Sequence, residues 1–235
     1  MIRLDNIAKK YETGGRSFTA LSINTEITKG EFVVVTGRSG SGKSTLLNIL
    51  AGIDRPTSGD IQVLGESITH LDENQMAQWR GRTMGIVFQF FQLIPNLSVL
   101  ENVLLPMDLV GEKKSDDGKK EAMTLLEKVG MQGHADKMPS ELSGGEQQRV
   151  AIARSLANQV PVLIADEPTG NLDSENTNAI LDLFAALADE GKTIIMVTHE
   201  REHIKGSTRR IVLKDGAVIE DKRTAAGGGG IGPTQ

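Results

Sequence analysis

The sequence predicts an α/β fold built on a phosphate-binding core, with short strands at its front and a helical insertion in its middle. Three observations carry this. Gly37-Arg38-Ser39-Gly40-Ser41-Gly42-Lys43-Ser44 meets the P-loop pattern G-x-x-x-x-G-K-[ST] in full, between an apolar β-branched run ending at Thr36 and the helix-like run Thr45 to Ala51. Further apolar runs, Met84 to Phe88, Pro161 to Ala165 and Thr193 to Val197, alternate with helical stretches. From Phe90 to Ser140 the texture changes to helical periodicity interrupted by Pro95 and a charged stretch, an insertion of about 50 residues.

In chain order, Ile2 to Leu4, Phe18 to Leu21 and Ile23 to Ile27 read as short strands, with Gly14-Gly15 and Lys29-Gly30 as turns. Tyr11, the only tyrosine, falls in the polar stretch Lys9 to Gly14. It is either a half-buried surface ring or a platform on which a purine stacks, a contact of roughly 1–3 kcal/mol. Gly52 is placed to end the P-loop helix. Asp54 to Asp60 has turn chemistry, and Ile61 to Leu64 is a strand running into Gly65. Asp72 caps a helix to Arg82 that carries the lone Trp79. Phe90 to Leu97 is apolar but holds a proline and is no regular element. Val99 to Leu109 and Lys119 to Val129 fit helical spacing, and Gly111 to Gly118 between them reads as an exposed charged loop. After the insertion come a helix from Gln147 to Leu156 and an amphipathic helix from Ser174 to Glu190, ended by Gly191. Arg210 to Leu213 and Ala217 to Ile219 flank the turn Lys214-Asp215-Gly216 as a hairpin. From Thr224 onward the Gly-rich composition predicts a flexible tail.

The chemistry follows from residue types at strand ends. The P-loop glycines let successive N–H groups face one concavity, and the helix that follows aims its positive end there. Lys43 can reach the outer phosphates and the Ser44 hydroxyl can take a place on Mg²⁺. Asp166-Glu167 ends the run from Pro161, where open α/β sheets place their sites. Adjacent side chains point opposite ways, so Asp166 can hold Mg²⁺ through its water shell while Glu167 polarises an attacking water. An acidic strand-end turn is common in isolation, but a P-loop on a neighbouring strand favours the functional reading. His199 ends the run from Thr193 on the same edge and can donate to a γ-phosphate or orient the water. His70, His134 and His203 read as surface. Gln89 ends the strand from Met84, where an amide can bind Mg²⁺ or water. Ser143-Gly144-Gly145 opens a helix as a second anion nest. A chain holds one γ-phosphate at its P-loop, so a second nest invites a facing subunit.

From Ile2 to about Glu220 the chain resembles an ABC-transporter ATPase, because Leu142 to Arg149 has the form of that family's signature motif. The resemblance makes Tyr11 the adenine-stacking aromatic, Gly37 to Ser44 the Walker A motif and Thr45 a further ATP contact. It makes Gln89 the Q-loop, Asp166 the Walker B aspartate and Glu167 the catalytic glutamate. Asn171-Leu172-Asp173 becomes the D-loop, and His199 the switch histidine. Catalysis is then expected from Glu167, His199, Gln89 and Lys43, with Ser44, Gln89 and Asp166 around Mg²⁺. Ser143, Gly144, Gly145 and Glu146 would serve the ATP of a second copy, so a homodimer around ATP is implied. The resemblance also implies a RecA-like core with an antiparallel β subdomain over about 1–89 and 146–223, and the helical insertion over about 90–145. Gly170 to Asp173 and Gln89 to Pro95 are similar to the lipoprotein-releasing, macrolide-efflux and cell-division branch. That branch implies a membrane permease, here a separate polypeptide, docked near Phe90 to Leu105 on exposed Phe90, Phe91, Leu93 and Ile94.

Bulk properties exclude other classes. A net charge of −5 argues against nucleic acid, since phosphate binding wants a basic face. Without cysteine there is no disulfide or thiolate metal site. No segment reads as a signal peptide or a membrane span, so the expected place is the cytoplasmic face of the membrane, reached through the partner. A nucleic-acid ABC ATPase would carry a coiled-coil insertion or two cassettes, and neither is visible. A regulatory ABC protein controlling a cell-wall hydrolase would share every motif with a transporter.

Overall fold

The computed structural model describes residues 1–111, 115–199 and 204–224, without the side chain of Ser115. The expected tail beyond Thr224, His203 and residues 112–114 of the charged stretch lie outside those residues.

The front of the chain departs from expectation. β1 (Ile2–Thr13) and β2 (Arg16–Ile27) form one long antiparallel hairpin of 12-residue strands around Gly14-Gly15. Register shifts between Leu4 and Ile7 and between Lys9 and Lys10 break the two-residue alternation, which is why the outer half reads as loop in the sequence. Tyr11 therefore sits on β1, opposite Phe18 of β2. β3 (Phe32–Gly37) follows. β4 (Ser58–Val63) pairs with β1 and begins where only turn chemistry was expected, because Ser58 bonds across to Ala8. With β5 (Glu66–Ser67) these strands form a four-stranded sheet ordered β2-β1-β4-β5.

The second sheet adds β6 (Met84–Val87), β7 (Val162–Asp166), β8 (Thr193–Val197), β9 (Arg209–Lys214) and β10 (Ala217–Arg223), ordered β10-β9-β3-β8-β7-β6. All its pairings are parallel except that of β10 with β9. The P-loop strand β3 thus lies between β8 and β9, and β7 is one strand further away. The sequence reading that put Asp166-Glu167 on a neighbouring strand is corrected: the strand carrying His199 lies between them.

The helices are α1 (Lys43–Leu50), α2 (Glu73–Thr83), α3 (Val99–Val110), α4 (Ser115–Lys128), α5 (Gly144–Ser155) and α6 (Ser174–Asp189). Asp72 caps α2 as its sequence predicts, in a reciprocal box with Gln75. Two helices start earlier than periodicity suggests. Asp116 and Asp117 complement the dipole of α4's first turn, so helix replaces the expected loop there. In α5 the Ser143 hydroxyl accepts from the Glu146 N–H and the Glu146 carboxylate from the Ser143 N–H, so the helix begins at Gly144.

Alternation along β3 assigns the two sides of the six-stranded sheet. Phe32 and Val34 join the core with Val103, Leu126, Val150 and Phe184, beneath α3 to α6. Val33 and Val35 join the other core with Ile2, Leu21, Leu47 and Trp79, beneath α1, α2 and the four-stranded sheet. Buried Arg209 ties the sheets together: it bonds both Asp221 carboxylate oxygens (2.7 and 2.6 Å), the Thr25 hydroxyl (2.9 Å) and the Glu26 carbonyl (2.5 Å).

Phe90 to Leu97 forms no helix or strand. Arg154 donates to the carbonyls of Phe91 (2.9 Å) and Gln92 (2.6 Å), and Asn102 bonds both N–H and C=O of Ile94. Those bonds draw the segment inward. Of the four apolar residues expected to be exposed, Phe90 (70%) and Ile94 (41%) are, whereas Phe91 and Leu93 are partly buried.

Candidate functional site

The site starts from the turn after β3. Gly42 holds φ +100°, and a side chain there would run into the Ala20 carbonyl at 2.6 Å, so only glycine allows the turn. Gly42 is also the N-cap of α1, with no side-chain cap and no acidic residue in the first turn. α2, α3, α5 and α6 are each capped by Asp or Ser side chains. The N–H groups opening α1 are thus left for an external acceptor, which suits an anion.

Lys43 folds back to donate to the carbonyls of Gly37 (2.9 Å) and Arg38 (3.1 Å), with the Arg38 side chain exposed. Its desolvation pushes the ammonium pKa down, against the raising charges of Glu167 and Asp166. Ser41 is buried, and its hydroxyl has no partner among the described residues. Above the P-loop opens a cavity of about 530 Å³. Of the expected residues it is lined by Tyr11, Ser39, Gly40, Gly42, Lys43, Ser44, Thr45, Glu167 and His199.

The strand ends meet here because β7 and β8 are in register at Asp166↔Val197, and the Glu167 N–H donates to the Val197 carbonyl at 2.9 Å. Glu167 adopts φ +47°, a left-handed conformation a glutamate seldom takes. It brings Glu167 Oε1 to 2.5 Å from His199 Nε2. Asp166, the last residue of β7, is not on the cavity wall. Burial and the neighbouring Glu167 charge push its carboxyl pKa up, while Lys43 and His199 draw it down.

Other expected residues are placed elsewhere. Gln89 is not on the cavity wall; its amide lies against Gly170, and its carbonyl accepts from Asn171. The Ser143 nest is also remote from this chain's own cavity. Gly144 faces Phe91 and Leu172, and Gly145 is pressed against Asn176. Asp173 caps α6 and bonds the Asn176 backbone and amide, each at 2.8 Å. His134 differs from the surface reading. Its Nε2 stands 3.4 Å from Glu146, and its Nδ1 is buried without a partner among the described residues.

Sequence reasoning missed Phe18, Asp215 and Gly216 on the cavity wall, and Asp54 behind Tyr11. The signal for Phe18 was its place opposite Tyr11 in the hairpin, which the bulges concealed.

The model of the ABC transporter family matches residues 21–170, from β2 through the strand that delivers Asp166 and Glu167. The chain belongs to the ABC transporter family. This ATPase is 46% identical over 219 residues to the lipoprotein-releasing system ATP-binding protein LolD of Aquifex aeolicus, covering 93% of this chain and 96% of that protein. The ABC transporter ATP-binding protein YknY of Bacillus subtilis is 46% identical over 220 residues, covering 93% of this chain and 95% of the relative. The macrolide export ATP-binding/permease protein MacB of Chlorobium phaeobacteroides is 43% identical over 96% of this chain, which spans 34% of that larger protein. Among solved structures, the dimeric post-hydrolysis state of the cassette MJ0796 bound to ADP and Pi aligns at TM-score 0.87 and 40% identity, covering 95% of this chain and 98% of that one. The protein is thus the ATP-binding, ATP-hydrolysing subunit of an ABC transporter. Among the described residues no helix is long and apolar enough to cross a membrane.

Proposed function

We propose that this ABC ATPase works as a homodimer that closes around ATP and drives a separate membrane permease, by mechanotransmission of the lipoprotein-release or macrolide-export kind. The observation that carries the catalytic part is the Glu167–His199 contact at the rim of the P-loop cavity. In this reading Glu167 takes the proton of the attacking water and His199 holds Glu167 and the γ-phosphate in line. Lys43 leaves its carbonyl partners for the phosphates, and the P-loop N–H groups hold them. Tyr11 stacks on the purine, with Gly37 to Thr45 beneath the phosphates. Ser143, Gly144, Gly145 and Glu146 face the nucleotide of the second copy, with Asp173 beside that seam.

Mg²⁺ fits the donors present. Ser44 and Asp166 offer hard oxygens of the kind Mg²⁺ prefers. Among the described residues no three acidic or imidazole groups could hold a metal by themselves, which suits an ion that arrives on phosphate. Bound there, Mg²⁺ would neutralise charge building on the phosphates. Gln89 would join this set by turning from Gly170.

Support for a membrane partner comes from Phe90, Ile94 and Leu109, the last 78% exposed. Leu109 lies on the wall of a cavity of about 690 Å³ whose apolar lining, Met84, Ile86, Phe88, Pro106 and Val110, is edged by Arg80, Arg82 and Arg154, and exposed apolar surface of this kind marks protein interfaces. Replacing Glu167 by Gln tests the reading. Hydrolysis should fall by about 10²–10⁴-fold, the span of one general base, while ATP still binds and a dimer accumulates in light scattering. Turnover at the wild-type rate would remove Glu167 from its role.

A further inference from the structure

Behind the cavity, the hydroxyl of Tyr11 donates to Asp54 Oδ2 at 2.9 Å. Lys9 donates to Asp54 Oδ1 at 2.5 Å and to the Arg55 carbonyl at 2.8 Å, and its ammonium sits 5.0 Å from the Tyr11 ring centroid. Asp54 is not a free surface acid. It lies just beyond Ala51, Gly52 and Ile53 at the end of α1, and the N–H groups of Ile53 and Asp54 both donate to the carbonyl of Asn48 in that helix (2.8 and 3.1 Å). The short helix therefore opens on the phosphate cradle at Gly42, and the turn bonded to its other end carries the acceptor of the Tyr11 hydroxyl. Phe18 packs against the ring at a tilt, with centroids 5.8 Å apart.

We propose that Asp54, held by Lys9, is a positioning residue that fixes the Tyr11 ring at a set distance and tilt from the P-loop, so that base and phosphates of one nucleotide are gripped together. This rests on the reading of Tyr11 as the purine platform. A ring free to rotate stacks only part of the time, whereas one tied to the P-loop helix loses little freedom when the base arrives. The electrostatics agree with the geometry. Burial raises the Tyr11 pKa and the Asp54 bond raises it further. Burial alone would raise Asp54, yet the bonds from Lys9 and Tyr11 hold it below the usual carboxylate range.

The test compares Asp54→Asn, Tyr11→Phe, their double variant and Tyr11→Ala, using ATP and base-free tripolyphosphate as ligands. Tyr11→Phe keeps the ring and loses the tether. Both single variants should raise KM for ATP on the order of threefold to tenfold, as expected for losing a charge-assisted hydrogen bond. The loss should fall on KM rather than kcat, and the double variant should be no worse than either single one. Tripolyphosphate affinity should not move in Asp54→Asn; a disturbed P-loop helix would weaken it too and would overturn the proposal. Because Tyr11 is the only tyrosine, tyrosinate absorbance reports on it alone, and Asp54→Asn should bring its titration down toward the ordinary value. An unchanged titration would refute the tether whatever the kinetics. If Tyr11→Ala leaves KM unchanged, the purine-platform reading fails. If it raises KM while Tyr11→Phe and Asp54→Asn do not, only the positioning role fails.

Discussion

Replacing Gly145 by alanine puts the packing at the start of α5 to a direct test. The new Cβ would lie 2.2 Å from Asn176 Oδ1 and 2.5 Å from Asn176 Cγ. Ordinary contact needs about 3.4 Å, so the neighbours must part by roughly 1 Å. Asn176 cannot swing away without cost, because its amide and backbone N–H both bond Asp173 at 2.8 Å. Losing the side-chain bond costs about 0.5–1.5 kcal/mol, and alanine in a helix returns about 0.5–1 kcal/mol. Stability should therefore change by under about 1 kcal/mol, a shift in Tm of a few degrees for a chain of this size. Activity should respond far more. On the proposed reading Gly145 completes the site of a second copy, and a displacement of about 1 Å in such a residue can cost on the order of 10²-fold. Phosphate release and thermal melting, measured side by side, should show that split. Adding Asn176→Ala, which vacates the space, should recover most of the lost rate. Hydrolysis within about threefold of wild type in Gly145→Ala would refute the steric reasoning, as would a double variant no better than the single one.

Asp166→Asn should abolish hydrolysis yet raise the thermal stability of the nucleotide-free protein, on the order of 1 kcal/mol. Burial and Glu167 raise the folded pKa of Asp166, so its ionised form opposes folding once the pH is above that value, and the amide removes this penalty. A lower Tm at neutral pH would contradict this. Arg209→Ala should destabilise by about 2–4 kcal/mol, less than a fully buried pair because Asp221 is partly exposed. The Arg209 bond lowers the Asp221 pKa, so its stabilisation is present above about pH 3.9, the ordinary aspartate value, and is lost as pH falls through the depressed one. Urea unfolding followed by Trp79 fluorescence should show the wild-type advantage at pH 7 narrowing in acid.

What the sequence made legible was local. The P-loop, the Asp72 cap and strand β8 are each specified by neighbours within a few residues, and the structure keeps them as read. Tyr11 illustrates the opposite case. Two bulges shift the alternation along β1, so no window around it repeats every second residue, and its anchor Asp54 is 43 positions away. The order of parallel strands is likewise invisible in the chain, because each crossover can return to either side. Asp166 and His199 were each recognisable as strand ends, but which stood beside the P-loop depended on how the helices between them packed. Arg154 gave no signal at all, since its partners are backbone carbonyls 62 and 63 residues earlier.

Helix α5 shows why those long-range bonds matter for function. Its 12 residues span about 18 Å. The first turn presents Ser143 and the two glycines. One turn on, fully buried Gln148 donates to the Pro168 carbonyl at 2.8 Å, next to Glu167. Near the other end Arg154 grips Phe91 and Gln92, behind the exposed Phe90. Gln148 is an expensive choice for a core position. Its Oε1 is buried with no partner among the described residues, a cost on the order of 1–3 kcal/mol that leucine would avoid. Apolar packing would hold α5 against the sheet equally well but would not fix its height along Pro168. The amide does fix it, and a helix of this length is stiff. On the proposed reading, a push on Phe91 and Gln92 from one side, or on Ser143 to Gly145 from the other, would reach the Pro168 turn beside Glu167 through α5.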